Sequence, residues 1–235
     1  MRLDIYLTKK HNIQSRNKAQ ELIKAKQIVV DGRIITKSSF IVDDTVSIEI
    51  LQDEFFVSRA AYKLKHFLDN SLIDLSDTIA LDIGSSTGGF TQVLLKNNID
   101  SVTCVDVGSN QLHSSIRDDN RIIIKENMDI RKFYPNKKYE VIACDVSFIS
   151  ILNIIDDINR LASNKIIILY KPQFEVGRNI KRDSSGVVQD TNAIKLCRNE
   201  FISYTNKLGW KLIKSEESKL SGKAGNVEEL FYFNI

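Results

Sequence analysis

Residues 80–95 read ALDIGSSTGGFTQVLL. Apolar residues and an acid lead into Gly84, Gly88 and Gly89, and an amphipathic run follows. A strand, a glycine turn and a helix in that order bring backbone N–H groups close to a nucleotide-like ligand. The loop from Asp82 to Gly89 departs from the dinucleotide fingerprint G-x-G-x-x-G. It holds no lysine, which argues against a phosphate cradle. Further on, Val105-Asp106-Val107-Gly108 ends the next strand, where an acid suits a ribose diol. Asn127-Met128-Asp129 follows the third strand, where a carboxylate can accept from an adenine amino group. Adenosine without phosphate points to S-adenosylmethionine, with an NAD enzyme as the runner-up on these residues alone.

Outward from this loop, strands and helices alternate. The patterning predicts a helix at 58–69, strands at 78–83, 102–106, 121–125, 140–144 and 165–170, and helices at 88–97, 150–161 and 190–208. Strands at 210–217 and 227–234 close the chain with no helix between them, so one of the two is expected to run antiparallel. Such alternation means a mostly parallel sheet covered on both faces. Apolar residues make up 43% of the 235, with two prolines and ten glycines, an ordinary globular composition. Cys104, Cys144 and Cys197 are odd in number and far apart, so neither a disulfide framework nor a metal site is implied. The longest apolar run, Ile166 to Tyr170, is far short of a membrane span, and the first ten residues lack the apolar core of a signal peptide. A reduced, soluble, cytoplasmic protein is expected.

The net charge is +3 but uneven: residues 1–40 hold nine Lys/Arg against three acids. Local positive excess suggests a polyanion partner. Helices are expected near 2–10 and 16–26, the second with Ser15 as N-cap and Ala19, Leu22 and Ile23 on one stripe. Ile28–Val30 and Arg33–Ile35 flank Asp31-Gly32, a hairpin signal, and a third strand is expected at 46–51. This unit resembles the alpha-L-type RNA-binding module first recognised in a ribosomal small-subunit protein. The resemblance rests on Ser15-Arg16, Ala19, Leu22-Ile23, Val30 and Asp31-Gly32. Arg2, Arg16, Lys18, Lys24, Lys26 and Arg33 are its expected RNA contacts, mainly to phosphates. The domains read 1–51 for this module, 52–57 for a linker and 58–235 for the α/β part.

Four further residues bear on the methyl acceptor: Lys63 in FVSRAAYKL, Asp145 in ACDVSFIS, Lys171 in ILYKPQFEVG and Glu228 in AGNVEEL. Residues at the carboxyl ends of parallel strands border the ligand crevice, which places Asp145 and Lys171. Lys63 and Glu228 reach it only if the flanking helix and the last strand fold over it. Each has a plainer role open to it. Lys63 shares a helical face with Arg59 and His66, and Asp145 is placed to cap the next helix. Phe90 and Phe148 read as core residues, with Phe148 also close enough to Asp145 to contact a cofactor.

GSSTGGFT, CDVSFIS, KPQFE and GNVE resemble the TlyA (haemolysin A) family of ribosomal-RNA 2′-O-methyltransferases, whose catalytic half is similar to the FtsJ-type ribose methyltransferases. The likeness covers essentially the whole chain. It implies a Rossmann-like S-adenosylmethionine-dependent methyltransferase domain of α/β class, mostly parallel with one antiparallel strand, behind a small α+β RNA-binding domain. It implies a catalytic tetrad of Lys63, Asp145, Lys171 and Glu228. It also implies cofactor contacts from Asp82, Gly84, Ser85, Thr87, Gly88, Gly89 and Phe90, together with Asp106, Asp129 and Phe148. Ala60-Ala61 departs from the glycine expected there, a change to a better helix former. The short chain resembles the compact subgroup, which implies a cytidine of large-subunit rRNA as substrate.

Methyl transfer to a ribose hydroxyl requires oxygen, carbon and sulfur in line and a place for the hydroxyl proton. A lysine ordinarily holds its own proton at neutral pH, so Lys171 acts either as the base or as a fixed cation beside a developing alkoxide. No metal is required. The competing readings are an RNA-binding ribosome-assembly factor with an inactive methyltransferase fold, a small-molecule or NAD enzyme, and a haemolysin. No membrane segment supports the last.

Overall fold

The computed structural model describes residues 1–11, 13–50 and 56–235. They form two compact units that divide between Phe55 and Phe56. In the first unit, α1 (Leu3–Lys10) and α2 (Arg16–Lys24) precede β1 (Ile28–Val30), β2 (Arg33–Ile34) and β3 (Ile48–Ile50). The Ser15 hydroxyl accepts from the Lys18 N–H at 3.2 Å and starts α2. Leu3, Leu7, Ala19, Ile23, Ile28 and Val30 pack its core. Asp31 and Gly32 both have positive φ and turn β1 into β2 antiparallel, while β3 pairs along the other edge of β1. α2 stops at Lys24, short of the expected Lys26, whose φ of 61° has left the helical region. Leu51, the expected end of the third strand, lies outside the described residues. So do 52–55 of the expected linker. Phe56 and Val57, its last two residues, are buried in the core of the second unit.

The second unit is a seven-stranded sheet. Its elements are α3 (Arg59–Asp69), β4 (Ile79–Ile83), α4 (Gly89–Lys96), β5 (Ser101–Val105), α5 (Ser114–Arg117), β6 (Ile122–Lys125), β7 (Tyr139–Cys144), α6 (Ile155–Leu161), β8 (Ala162–Tyr170), α7 (Pro172–Glu175), α8 (Thr191–Lys207), β9 (Lys211–Glu217) and β10 (Glu229–Asn234). The strand order is β6-β5-β4-β7-β8-β10-β9, and β10 runs antiparallel to both neighbours. That is the expected antiparallel strand. Burial on both faces explains why the second half of β8, Ile166 to Tyr170, reads as an unbroken apolar run. One face packs α3 and α4 through Leu64, Phe67, Phe90 and Leu94. The other carries Tyr170, Phe201, Trp210, Phe231 and Phe233. Phe201 touches Phe231 edge-on at 5.2 Å, and truncating either ring to Ala costs about 3–5 kcal/mol.

The helix expected over 150–161 is split. A 3-10 turn covers Ile151–Asn153 and α6 starts at Ile155. The cause is a partner distant in sequence. Glu175 accepts from the Ser150 hydroxyl at 2.6 Å and from the Ile151 N–H at 3.0 Å, which fixes the first turn on α7.

Candidate active site

Strand register assembles the site. Ile83 lies beside Cys144 and Cys144 beside Ile168, so the loops after β4, β7 and β8 leave the same edge of the sheet. Asp145 follows β7 and Lys171 follows β8. Because β10 is antiparallel, its first residue, Glu229, pairs with Tyr170 at the far end of β8. Glu228 therefore enters the strand where Lys171 leaves its own. A parallel last strand would have carried it to the opposite edge.

Four charges pair off there. Lys171 Nζ stands 2.5 Å from Asp145 Oδ1, at an angle unlike that of a hydrogen bond, and donates to Ser147 Oγ at 2.9 Å. Lys63 Nζ donates to Glu228 Oε2 at 2.5 Å, and Gln173 Nε2 donates to Glu228 Oε1 at 3.0 Å. Lys63 is 7% exposed and Glu228 3%, so the solvated-face role open to Lys63 is overturned. α3 turns Lys63 inward with Leu64 and Phe67, and leaves Arg59 outside. Asp145 caps no helix; Ser150 caps the next turn.

The glycine loop lies against these pairs. Gly84 has φ of 78°, and a Cβ there would stand 2.7 Å from the Asp145 carbonyl oxygen, so only glycine lets the β4 and β7 loops meet. A Cβ on Gly89 would meet Ser58 Oγ at 2.0 Å, so that glycine lets the helix bearing Lys63 close on α4. A cavity of 160 Å³ between them is lined by Gly84–Thr87, Gly89, Phe90, Asp145, Ser147 and Lys171. It shares Gly84, Ser86, Asp145 and Ser147 with a larger cleft of 430 Å³ that reaches Asp106, Met128, Asp129, Ile130 and Phe148.

The larger cleft suits an adenosine. Asp106 accepts the Ser86 N–H at 2.8 Å and the Gly108 N–H at 2.7 Å, one per oxygen, which leaves each oxygen a lone pair for a vicinal diol. Val105, Met128, Ile130, Val146 and Ile154 supply apolar walls. Asp129 lines the cleft, but its carboxylate is held by the Arg131 side chain at 2.5–3.1 Å and by the Arg131 N–H at 2.9 Å. It can accept an adenine amino group only by sharing those lone pairs. Asp82 is fully buried behind the loop. Its Oδ2 accepts from Thr91 Oγ1 at 2.6 Å, while Oδ1 has no partner among the described residues. Burial pushes its carboxyl up to about 7. Asp82 lines neither cavity, so it supports the loop from behind through Thr91.

Phe90 is buried, as expected for a core residue. Phe148 is not core: it is 92% exposed. Its φ of 67° throws the side chain outward onto Phe174, with ring centroids 5.2 Å apart. Thus Phe148 stands at the rim of the larger cleft.

Several supporting residues escaped the sequence reading. Ser147 and Gln173 sit inside the quoted motifs CDVSFIS and KPQFE, and only contact geometry marks them. Glu126 was missed outright. It accepts the N–H groups of Asn110, Gln111 and Leu112 and pairs with Arg117 at 3.1 Å, so it shapes the loop after Asp106. Those bonds pull its carboxyl down to about 2. A lowered folded-state value stabilises above the unfolded value near 4.3, and the contribution fades as pH falls through about 2. Urea titrations should therefore show wild type more stable than Glu126→Gln at pH 6, with the gap closing toward pH 2. A gap independent of pH would remove the charge from this account.

Among the described residues no group of three metal-ligating side chains comes together, and no helix is long and apolar enough to cross a membrane. In the first unit Lys24, Lys26 and Arg33 are exposed, Lys18 pairs with Glu21 at 3.5 Å, and Arg2 and Arg16 converge on Asp4.

Residues 56–235 match the FtsJ-like methyltransferase family, and residues 1–47 match the S4 domain. The Campylobacter jejuni protein named 23S rRNA (cytidine-2'-O)-methyltransferase TlyA is 44% identical, with 99% of each chain covered. The chain is an FtsJ-like methyltransferase of the TlyA family. A solved Streptococcus thermophilus structure whose description uses the hemolysin name matches with a TM-score of 0.73 at 29% identity, covering 100% of this chain and 88% of that one. An S-adenosylmethionine-dependent methyltransferase from Mesorhizobium loti shares the fold of this TlyA-family chain at a TM-score of 0.51 and 12% identity, over 72% of this chain and 96% of that one.

Proposed function

We propose that this TlyA-family chain methylates the ribose 2′-hydroxyl of a cytidine in large-subunit ribosomal RNA, in the cytoplasm. The methyl group would come from S-adenosylmethionine, a sulfonium that supplies an electrophilic carbon. The observation that carries the proposal is the Lys171–Asp145 contact on the wall of the glycine-loop cavity, with the buried Lys63–Glu228 pair where β10 enters beside the end of β8. Asp106 would hold the cofactor ribose. Gly84–Phe90, backed by Asp82, would border its methionine part, and Phe148 would offer a stacking face at the rim. Asp145 fixes the Lys171 ammonium toward Ser147, so one cation is positioned where an alkoxide develops. Lys171 is then the group that shares or takes the hydroxyl proton. Glu228, steadied by Gln173, keeps Lys63 in place behind it. The residues of the first unit, Arg2, Arg16, Lys18, Lys24, Lys26 and Arg33, would grip phosphates and leave base choice to RNA shape.

S-adenosylmethionine should raise the melting temperature of the whole chain, because a ligand that binds only the folded state stabilises it. Asp106→Ala should remove most of that shift by stripping the diol acceptor, and NAD should give none. Equal shifts in wild type and Asp106→Ala would place the cofactor elsewhere. The substrate is tested with radiolabelled S-adenosylmethionine and purified ribosomal subunits. Label in the large subunit is expected. No label in either subunit, despite a thermal shift, would reject ribosomal RNA as the acceptor.

A further inference from the structure

Asp4 lies in the first turn of α1 and is wholly buried, although its partners are not. Arg2 Nε and Nη2 donate to its two oxygens, each at 3.1 Å. Arg16 Nε donates to Oδ2 at 2.9 Å, and Gln20 Nε2 donates to the same oxygen at 2.8 Å. Three side chains from two helical segments thus converge on one carboxylate. The Arg2 and Arg16 side chains are 38% and 51% exposed while the Asp4 side chain between them is at 0%. The arginines hold Asp4 well below the usual carboxylate range.

Leu3, Leu7, Ala19 and Ile23 pack α1 on α2 beside the bonds that Asp4 accepts from Arg16 and Gln20. The acid's distinctive effect lies on the outward side. Arg2 spends its Nε–Nη2 edge on Asp4 and Arg16 spends Nε, which leaves Nη1 of Arg2 and both Nη groups of Arg16 without a bond to the carboxylate. Arg2 and Arg16 are both tethered to Asp4 Oδ2, so the Nη edge of Arg16 and Nη1 of Arg2 can donate together to the oxygens of a phosphodiester, and fixing them beforehand removes the entropy of ordering two long side chains.

We propose that Asp4 is a positioning residue that sets Arg2 and Arg16 as a preformed clamp for backbone phosphate of RNA. The clamp rests on the proposal above that this unit binds ribosomal RNA. Charge and position predict opposite signs. Asp4→Asn removes a negative charge from a cationic face, so charge alone would tighten RNA binding; loss of the clamp weakens it.

The test is filter retention of ribosomal RNA by the full-length protein at several salt concentrations, below the melting transition of each variant. Arg2→Ala and Arg16→Ala should weaken binding and flatten the salt dependence by about one counterion each. Asp4→Asn should weaken binding about tenfold with a similar loss of salt slope. Arg16→Lys keeps the charge but lacks the fork, and guards against an Asp4 variant that fails to fold; it should bind more weakly than wild type. Wild-type or tighter binding by Asp4→Asn, or wild-type binding by Arg16→Lys, overturns the clamp while leaving RNA binding by this unit intact. Unchanged binding in both arginine-to-alanine variants overturns the RNA-binding proposal for these residues and the clamp with it.

Discussion

Lys171→Ala should lower methyl transfer by about 10²–10⁴-fold, the range for losing a positioned proton-transfer or charge-stabilising group. It should leave the S-adenosylmethionine thermal shift close to wild type. The Lys171 side chain borders only the smaller cavity, whereas the adenosine-sized cleft is walled by residues of other loops. Its Nζ is held by Asp145 and Ser147, so truncation removes the ammonium and frees Asp145 from its counter-charge. Single-turnover rates with saturating cofactor and RNA separate chemistry from binding. Lys171→Arg divides the two roles left open: arginine keeps a cation but does not give up its proton. Near-wild-type turnover of Lys171→Arg across the pH range would end the base role and retain the electrostatic one. Wild-type turnover of Lys171→Ala would end both.

Lys63→Met should destabilise the second unit by about 3–5 kcal/mol, because breaking one side of a buried ion pair strands the other charge. Glu228 is 3% exposed, and Gln173 would be its only remaining side-chain hydrogen-bond donor among the described residues. The pair ties α3 to the residue that enters β10, two elements separated by most of the unit's sequence. Lys63→Met with Glu228→Gln should recover most of the loss, since a neutral amide is far less costly to bury than a lone carboxylate. Urea unfolding of the two single variants and the double variant gives the coupling. A Lys63→Met midpoint equal to wild type would mean that Glu228 is well solvated and that the pair does not hold the two elements together.

The fold was largely legible because its signals are local. The period of apolar residues, the Ser15 cap, the Asp31-Gly32 turn and the glycine loop each act over a few residues, and each recurs in the structure. Where local signals compete with a distant partner, the sequence reading was less accurate. The break before α6 depends on Glu175, twenty-odd positions downstream, and periodicity cannot see it. Phe148 looked like a core residue because aromatic residues usually are; a single positive φ reversed its direction.

The sequence by itself determined the two-part organisation, the alternating α/β pattern, the loop that suits an adenosine-bearing cofactor, and the four charged residues that the family resemblance singles out. The first three depend on residue type and short spacing, and the four charged residues rest on the motifs that carry the resemblance. Only the tertiary structure decided which charges meet. The antiparallel course of β10 brings Glu228 to the end of β8, inward rotation of α3 buries Lys63 against it, and Lys171 takes Asp145 instead. Arg131 across Asp129, Glu126 under the loop after Asp106, and Asp4 beneath two arginines belong to the same class. A carboxylate's partner is set by where the backbone carries it through space, and burial makes that choice costly to undo.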